Sequence, residues 1–179
     1  MIPHIPSPGF PGDGISSGQH GRKREGTEVL FVSPEDHKTE PPPPPILRNI
    51  FVERLRLGTP KLIKRLRELG YEVWIYTSSF RSEAYIRTYF AFYGVRFDGI
   101  VNGTRHLREV QRNLSTILPQ KMPTHYHITL HVDDESVICT QGRQYGYYAY
   151  QLNAQDDDWA EKIIERAESI KKAQRDRFL

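Results

Sequence analysis

Tyr71-Glu-Val-Trp-Ile-Tyr-Thr77-Ser78-Ser79 is a short apolar run that stops abruptly on three hydroxyls. A second stretch repeats the device: His127-Ile-Thr-Leu-His-Val-Asp133-Asp134-Glu135 runs in strand-forming residues until it stops on carboxylates. Both read as β-strands, and polar stops at the carboxyl ends of buried strands are where open α/β sheets place their ligands. A third run, Val29-Leu-Phe-Val32, ends on Ser33-Pro34-Glu35-Asp36.

Between these runs the apolar residues recur at helical spacing. Thr59-Pro60 opens a helix, with Thr59 as N-cap and Pro60 in the first turn. Leu62, Ile63, Leu66 and Leu69 form its apolar face, and Gly70 closes it. Ser79 or Ser78 is expected to cap the next helix, whose buried face is Ala84, Tyr85, Tyr89, Phe92 and Tyr93 before a stop at Gly94. Gly99-Ile-Val101 is a short strand, and a helix over 106–118 ends before Pro119. Strands follow over 126–132 and 147–152. A last helix from Asp157-Asp158 carries Trp159, Ile163, Ala167 and Ile170 on one face. Strands that alternate with helices predict βαβ units and a parallel sheet.

The chain has 179 residues. Residues 1–27, rich in Pro, Gly and Ser, are expected to be a disordered or extended segment, and 28–179 a single α/β domain. Pro41 to Pro45 can only be extended polyproline II, a stiff connector or a docking site for a proline-binding domain. The segment 48–56 that follows reads as extended. The formal charge of +3 sits largely at the ends, in Arg22-Lys23-Arg24 and from Lys171 onward. Such ends are solvated tails or a grip on nucleic acid, and steep salt dependence would mark the second. One cysteine, Cys139, excludes an internal disulfide and fits a reducing compartment. No apolar run approaches 18 residues, so a soluble, cytoplasmic protein without membrane attachment is expected.

Thr77 offers a hydroxyl, and the amides of Ser78 and Ser79 stand at a helix N-terminus. Together they make a phosphate seat, or simply helix caps. Asp133-Asp134 places two carboxylates side by side at the end of an apolar strand, where they repel each other and resist desolvation. Magnesium is the economical partner, since it takes hard oxygen ligands and bridges to phosphate; a solvated polar turn is the alternative. His125, His127, Thr129 and His131 alternate along the strand. Ends six residues apart are roughly 20 Å apart, which excludes one zinc ion shared by all three histidines. His131 is expected to pack behind Asp133 as its hydrogen-bond partner. The aromatic run from Tyr85 to Tyr93 is core packing at helical spacing, and Cys139 a small buried apolar group.

Thr77 after one strand, Asp133-Asp134 after another, and the glycine-bounded stretch from Gly142 to Tyr150 together resemble the haloacid dehalogenase-like superfamily, over about residues 28 to 155. The resemblance implies a three-layer, doubly wound parallel sheet (Rossmannoid), strand order 5-4-1-2-3, without a large cap domain. The segment 48–56 would then be half of the short flap after the first strand. It also implies magnesium-dependent phosphoryl transfer on a phosphorylated substrate or ligand, with Thr77, Ser78 and a cation on phosphate and Asp133 and Asp134 on the metal. Lys121 is the first choice for that cation, with Arg108 and Arg105 as competitors. The first motif departs from the family: its nucleophilic aspartate falls on Ser33 and its acid/base on Glu35. Loss of a covalent nucleophile costs on the order of 10³ to 10⁶ in rate. Three explanations stay open: an inactive binding module, an altered reaction through Ser33 or Asp36, or a different placement of the first strand. The expected function is a magnesium-dependent phosphohydrolase with serine at the nucleophile position. A non-enzymatic binding or regulatory module on the same fold is the rival.

Overall fold

The structure is a computed structural model that describes residues 29–32, 34, 37–112, 121–153 and 155–176. Among these, the strands are β1 (Phe31–Val32), β2 (Arg54–Leu55), β3 (Trp74–Tyr76), β4 (Gly99–Val101), β5 (Leu130–Asp133) and β6 (Tyr148–Gln151). The helices are α1 (Thr59–Glu68), α2 (Glu83–Ala91), α3 (Gly103–His106), α4 (Ser136–Thr140), α5 (Gly142–Tyr145) and α6 (Trp159–Arg175). Residues 1–28, together with Ser33, Glu35 and Asp36, lie outside the described residues. No described helix is long and apolar enough to cross a membrane.

β3-α2-β4 is a parallel unit, and β5 runs parallel to β6 through α4 and α5. The single sheet expected from the resemblance is not formed among the described residues, because strands pair two by two. β1 pairs antiparallel with β2 and not with β3 or β5. The Phe31 ring lies 5.0 Å from Tyr89 and 5.4 Å from Phe90, which holds β1 against α2, where fully buried Leu55 of β2 also packs. Among the described residues β3 and β5 therefore each keep one edge without a strand partner, and both line one cleft.

α1 starts differently from the sequence expectation. Gly58, at φ 91°, is the N-cap, and Thr59 is already helical, with its hydroxyl donating to the Arg56 carbonyl at 2.6 Å. The other end is as expected: Gly70, at φ 81°, lets its own N–H reach Arg67 and that of Tyr71 reach Leu66, a Schellman closure. α6 buries Trp159, Ile163, Ala167 and Ile170, the predicted stripe, and packs with Leu62 of α1 in one of two apolar clusters. α2 buries Ile86, Tyr89 and Phe90; Ala84 and Phe92, expected inside, are exposed. Tyr85 and Tyr93 are partly buried against the same cluster.

Neither Ser78 nor Ser79 caps α2. Ser82 does, accepting from Tyr85 N–H at 3.1 Å, so the chain from Thr77 to Arg81 is a loop over the end of β3. That loop is held from α3: Gly103 N–H donates to Ser79 O, and buried Asn102 donates through Nδ2 to Arg81 O, both at 2.8 Å. The helix expected over 106–118 begins earlier, at Gly103, and widens into a π-turn over Leu107–Gln111; 113–118 lie outside the described residues. The segment 48–56 is extended only at β2, after a 3₁₀ turn over Pro45–Leu47. The strand expected from Tyr126 starts only at Leu130. A 3₁₀ turn over Pro123–Tyr126 and a left-handed His127 (φ 56°) precede it, which takes His125 and His127 off the strand face. A Cβ on Gly103 would lie 2.7 Å from the Ser78 carbonyl oxygen, a backbone atom that cannot swing aside. Gly103→Ala is therefore expected to lower stability by roughly 1–3 kcal/mol in urea denaturation, and to shift NMR signals of residues 77–81.

Candidate functional site

The cleft between β3 and β5 has a volume of about 960 Å³. Leu62 and Ile163 belong to its apolar walls, while its polar lining includes Thr77 and Ser78 after β3, Asp133 and Asp134 at the end of β5, and Lys121. Asp133 closes β5 and is 1% exposed. Its Oδ2 receives Lys121 Nζ at 2.5 Å and His131 Nε2 at 3.0 Å, and its Oδ1 receives the Glu135 amide at 3.1 Å. Burial alone would raise the Asp133 pKa, but the His131 hydrogen bond and the Lys121 charge outweigh it and hold the carboxyl below the usual aspartate range. Burial pushes His131 the other way, toward the neutral ring, against the pull of Asp133. Neutral His131 then carries its proton on Nε2 and donates it to Asp133.

Asp134 is half-buried, and no ion pair reaches its carboxylate among the described residues. Burial raises its pKa, and the charge on Asp133 adds to the effect. A carboxylate so placed gains from an added cation.

Thr77 donates its N–H to Val101 O at 2.8 Å, and its Oγ1 accepts the Ser79 amide at 3.1 Å. The threonine thus shapes the loop that carries Ser78, which is exposed. Ser79 Oγ is buried with no hydrogen-bond partner among the described residues.

A second layer of contacts was not legible in the sequence. Tyr76 Oη accepts the Met122 amide at 2.9 Å and donates to His106 Nδ1 at 2.5 Å. Burial raises the Tyr76 pKa and lowers that of His106, so the phenol keeps its proton and the imidazole is a neutral acceptor. The Tyr76 ring also stands edge-on to His131 at 6.0 Å. One tyrosine on β3 therefore touches His131 directly and fixes the amide next to Lys121.

The competing cations stand elsewhere. Arg105 pairs with Glu109 at 2.9 Å and lies 5.2 Å over Tyr126; Arg108 pairs with Glu109 at 2.7 Å. Burial would raise the Glu109 pKa, but the two guanidiniums bring it down to about 2. Arg81, not singled out in the sequence, also lines the cleft and pairs with Glu53 at 2.6 Å. Ser33 and Glu35 lie outside the described residues.

No three His, Cys, Asp or Glu side chains among the described residues are grouped to hold a metal ion. The donor set still suits a hard divalent cation: among the described residues Asp134 has no ion pair, and Asp133 Oδ1 accepts one amide. No protein-family model matches the chain, and no curated protein or solved structure shows significant similarity to it.

Removing Lys121 would leave Asp133 buried and uncompensated. Lys121→Met is expected to cost roughly 3–5 kcal/mol in urea denaturation, and Lys121→Met/Asp133→Leu to recover most of that loss. The sign of the pH effect follows from the depressed Asp133 pKa. Its contribution is complete above the ordinary aspartate value and is lost as pH falls through the lower folded value. The stability gap between wild type and Lys121→Met should therefore narrow as pH drops below about 4.

Proposed function

We propose that the chain is a magnesium-dependent phosphohydrolase of the haloacid dehalogenase-like kind, without a large cap and with the three-layer, doubly wound arrangement implied by the resemblance. The observation that carries this reading is the convergence of Thr77, Ser78, Lys121, Asp133 and Asp134 on one cleft, where two parallel strand pairs end. The loop after β3 offers a phosphoryl group the hydroxyls of Thr77 and Ser78 and the Ser78 amide. Lys121, oriented by Asp133, neutralises phosphoryl charge, and His131 keeps Asp133 in place. Asp134 and the Oδ1 side of Asp133 would hold magnesium, which when bound polarises a phosphoryl oxygen as a Lewis acid. Ser33 and Glu35 take the nucleophile and acid/base positions of this reading.

The second reading is a binding or regulatory module that keeps the anion site without turnover. It is favoured by one observation: Lys121 and His131 already satisfy Asp133 Oδ2 without any metal. The two separate in a phosphate-release assay on a panel of aryl phosphates, with magnesium or with chelator. The phosphohydrolase reading expects release that chelator abolishes and that falls at least roughly 10- to 100-fold in Asp134→Asn. Loss of turnover in Ser33→Ala would make that hydroxyl part of the reaction. No release by the wild type across the panel would contradict the enzyme reading.

A further inference from the structure

The five prolines from Pro41 to Pro45 lie outside the cleft and take no part in the proposed chemistry. Residues 40–44 each precede a proline, which restricts them to extended or polyproline II backbone. Pro44 has φ −50° and ψ 147°. The run is clamped to the domain. Tyr93 Oη donates to the Pro41 carbonyl at 3.1 Å, and Arg48 Nε donates to the Pro43 carbonyl at 3.2 Å.

The run turns one proline inward and the others outward. Pro43 is buried, while Pro41, Pro42, Pro44 and Pro45 are exposed. Polyproline II repeats every three residues, so Pro41 aligns with Pro44; the run ends there, because Pro45, expected in the same extended segment, opens the 3₁₀ turn over Pro45–Leu47. The Pro41/Pro44 ridge, with Pro42 beside it, thus faces solvent while Pro43 faces the domain. Ile46, 85% exposed, extends the apolar surface past the last proline. Lys38 stands three residues before Pro41, and its ion pair with Asp157, at 2.6 Å, joins side chains 68% and 72% exposed. A pair so exposed is readily exchanged for another acid.

We propose that Pro41–Pro44 is a docking ridge for a partner domain with an aromatic-lined, polyproline-binding groove and acidic residues beside it that take Lys38. Aromatic grooves of this type bind ridges of prolines spaced three apart, and a preformed ligand helix lowers the ordering cost of binding. Here the helix is formed and anchored before any partner arrives. The Lys38-x-x-Pro41-x-x-Pro44 spacing gives the ridge a direction, since the cation marks one end.

The test is titration of the full chain with a panel of isolated WW- and SH3-type domains, followed by calorimetry and by NMR. The free peptide of residues 37–49 is titrated in parallel. The expected result is that at least one domain binds the full chain. Pro41→Ala/Pro44→Ala should weaken that binding at least roughly tenfold at unchanged melting temperature, and Lys38→Glu, a surface change, should weaken it as well. The proposal is overturned if no domain in the panel binds the full chain at millimolar concentration. It is equally overturned if the peptide binds and the chain does not, or if binding survives both Pro41→Ala/Pro44→Ala and Lys38→Glu.

Discussion

A carboxylate that is 1% exposed at the end of a strand has to be compensated, and the Lys121–Asp133 contact is how this chain does it. Taking either charge out of water alone costs several kcal/mol, so the two positions depend on each other. Asp133 also does three local jobs. Its carbonyl accepts Leu152 N–H in the pairing with β6, its Oδ1 accepts the Glu135 amide just ahead of α4, and its Oδ2 anchors Lys121 and His131. The end of β5, the start of α4 and the placement of the cation are thus set by one side chain.

The same cluster ties together the two sides of the cleft. β3 and β5 share no strand between them among the described residues, so the link has to come from side chains. Tyr76 provides it: its hydroxyl holds Met122 beside Lys121, and its ring packs against His131 at 6.0 Å and Tyr126 at 5.6 Å. His106 accepts the phenol proton and fixes the direction of that hydroxyl. The hydroxyl loop after β3 and the carboxylates after β5 are thereby held on the two sides of the same cleft.

The parts of the fold that were legible in the sequence rest on strong local patterns. β4 falls on Gly99–Val101 as expected, because a short apolar run between glycine turns has few other options. The α6 stripe follows from helical spacing over 17 residues, and the end of α1 from a glycine in the left-handed region. The misplacements were non-local. β1 turns to β2 through Phe31 contacts on α2, the loop after β3 is held by Asn102, and His127 in a left-handed turn delays β5. At the site, polar residues on strand ends stand out in the sequence, so Thr77, Asp133 and Asp134 could be named there, while Lys121, which lies nine residues before β5, is named only through the family resemblance. Tyr76 and His106 could not, because each is an ordinary core-compatible residue until a partner 30 or 46 positions away is known.

On the proposed function, the buried Lys121–Asp133 cluster binds an incoming phosphate, beyond its part in stability. Calorimetric binding of inorganic phosphate to the full chain with magnesium present, comparing wild type with Thr77→Ala and with Lys121→Met/Asp133→Leu, tests this most directly. The account predicts binding by the wild type that weakens at least roughly tenfold in each variant while both remain folded. Absence of phosphate binding by the wild type, or equal binding by all three proteins, would contradict it.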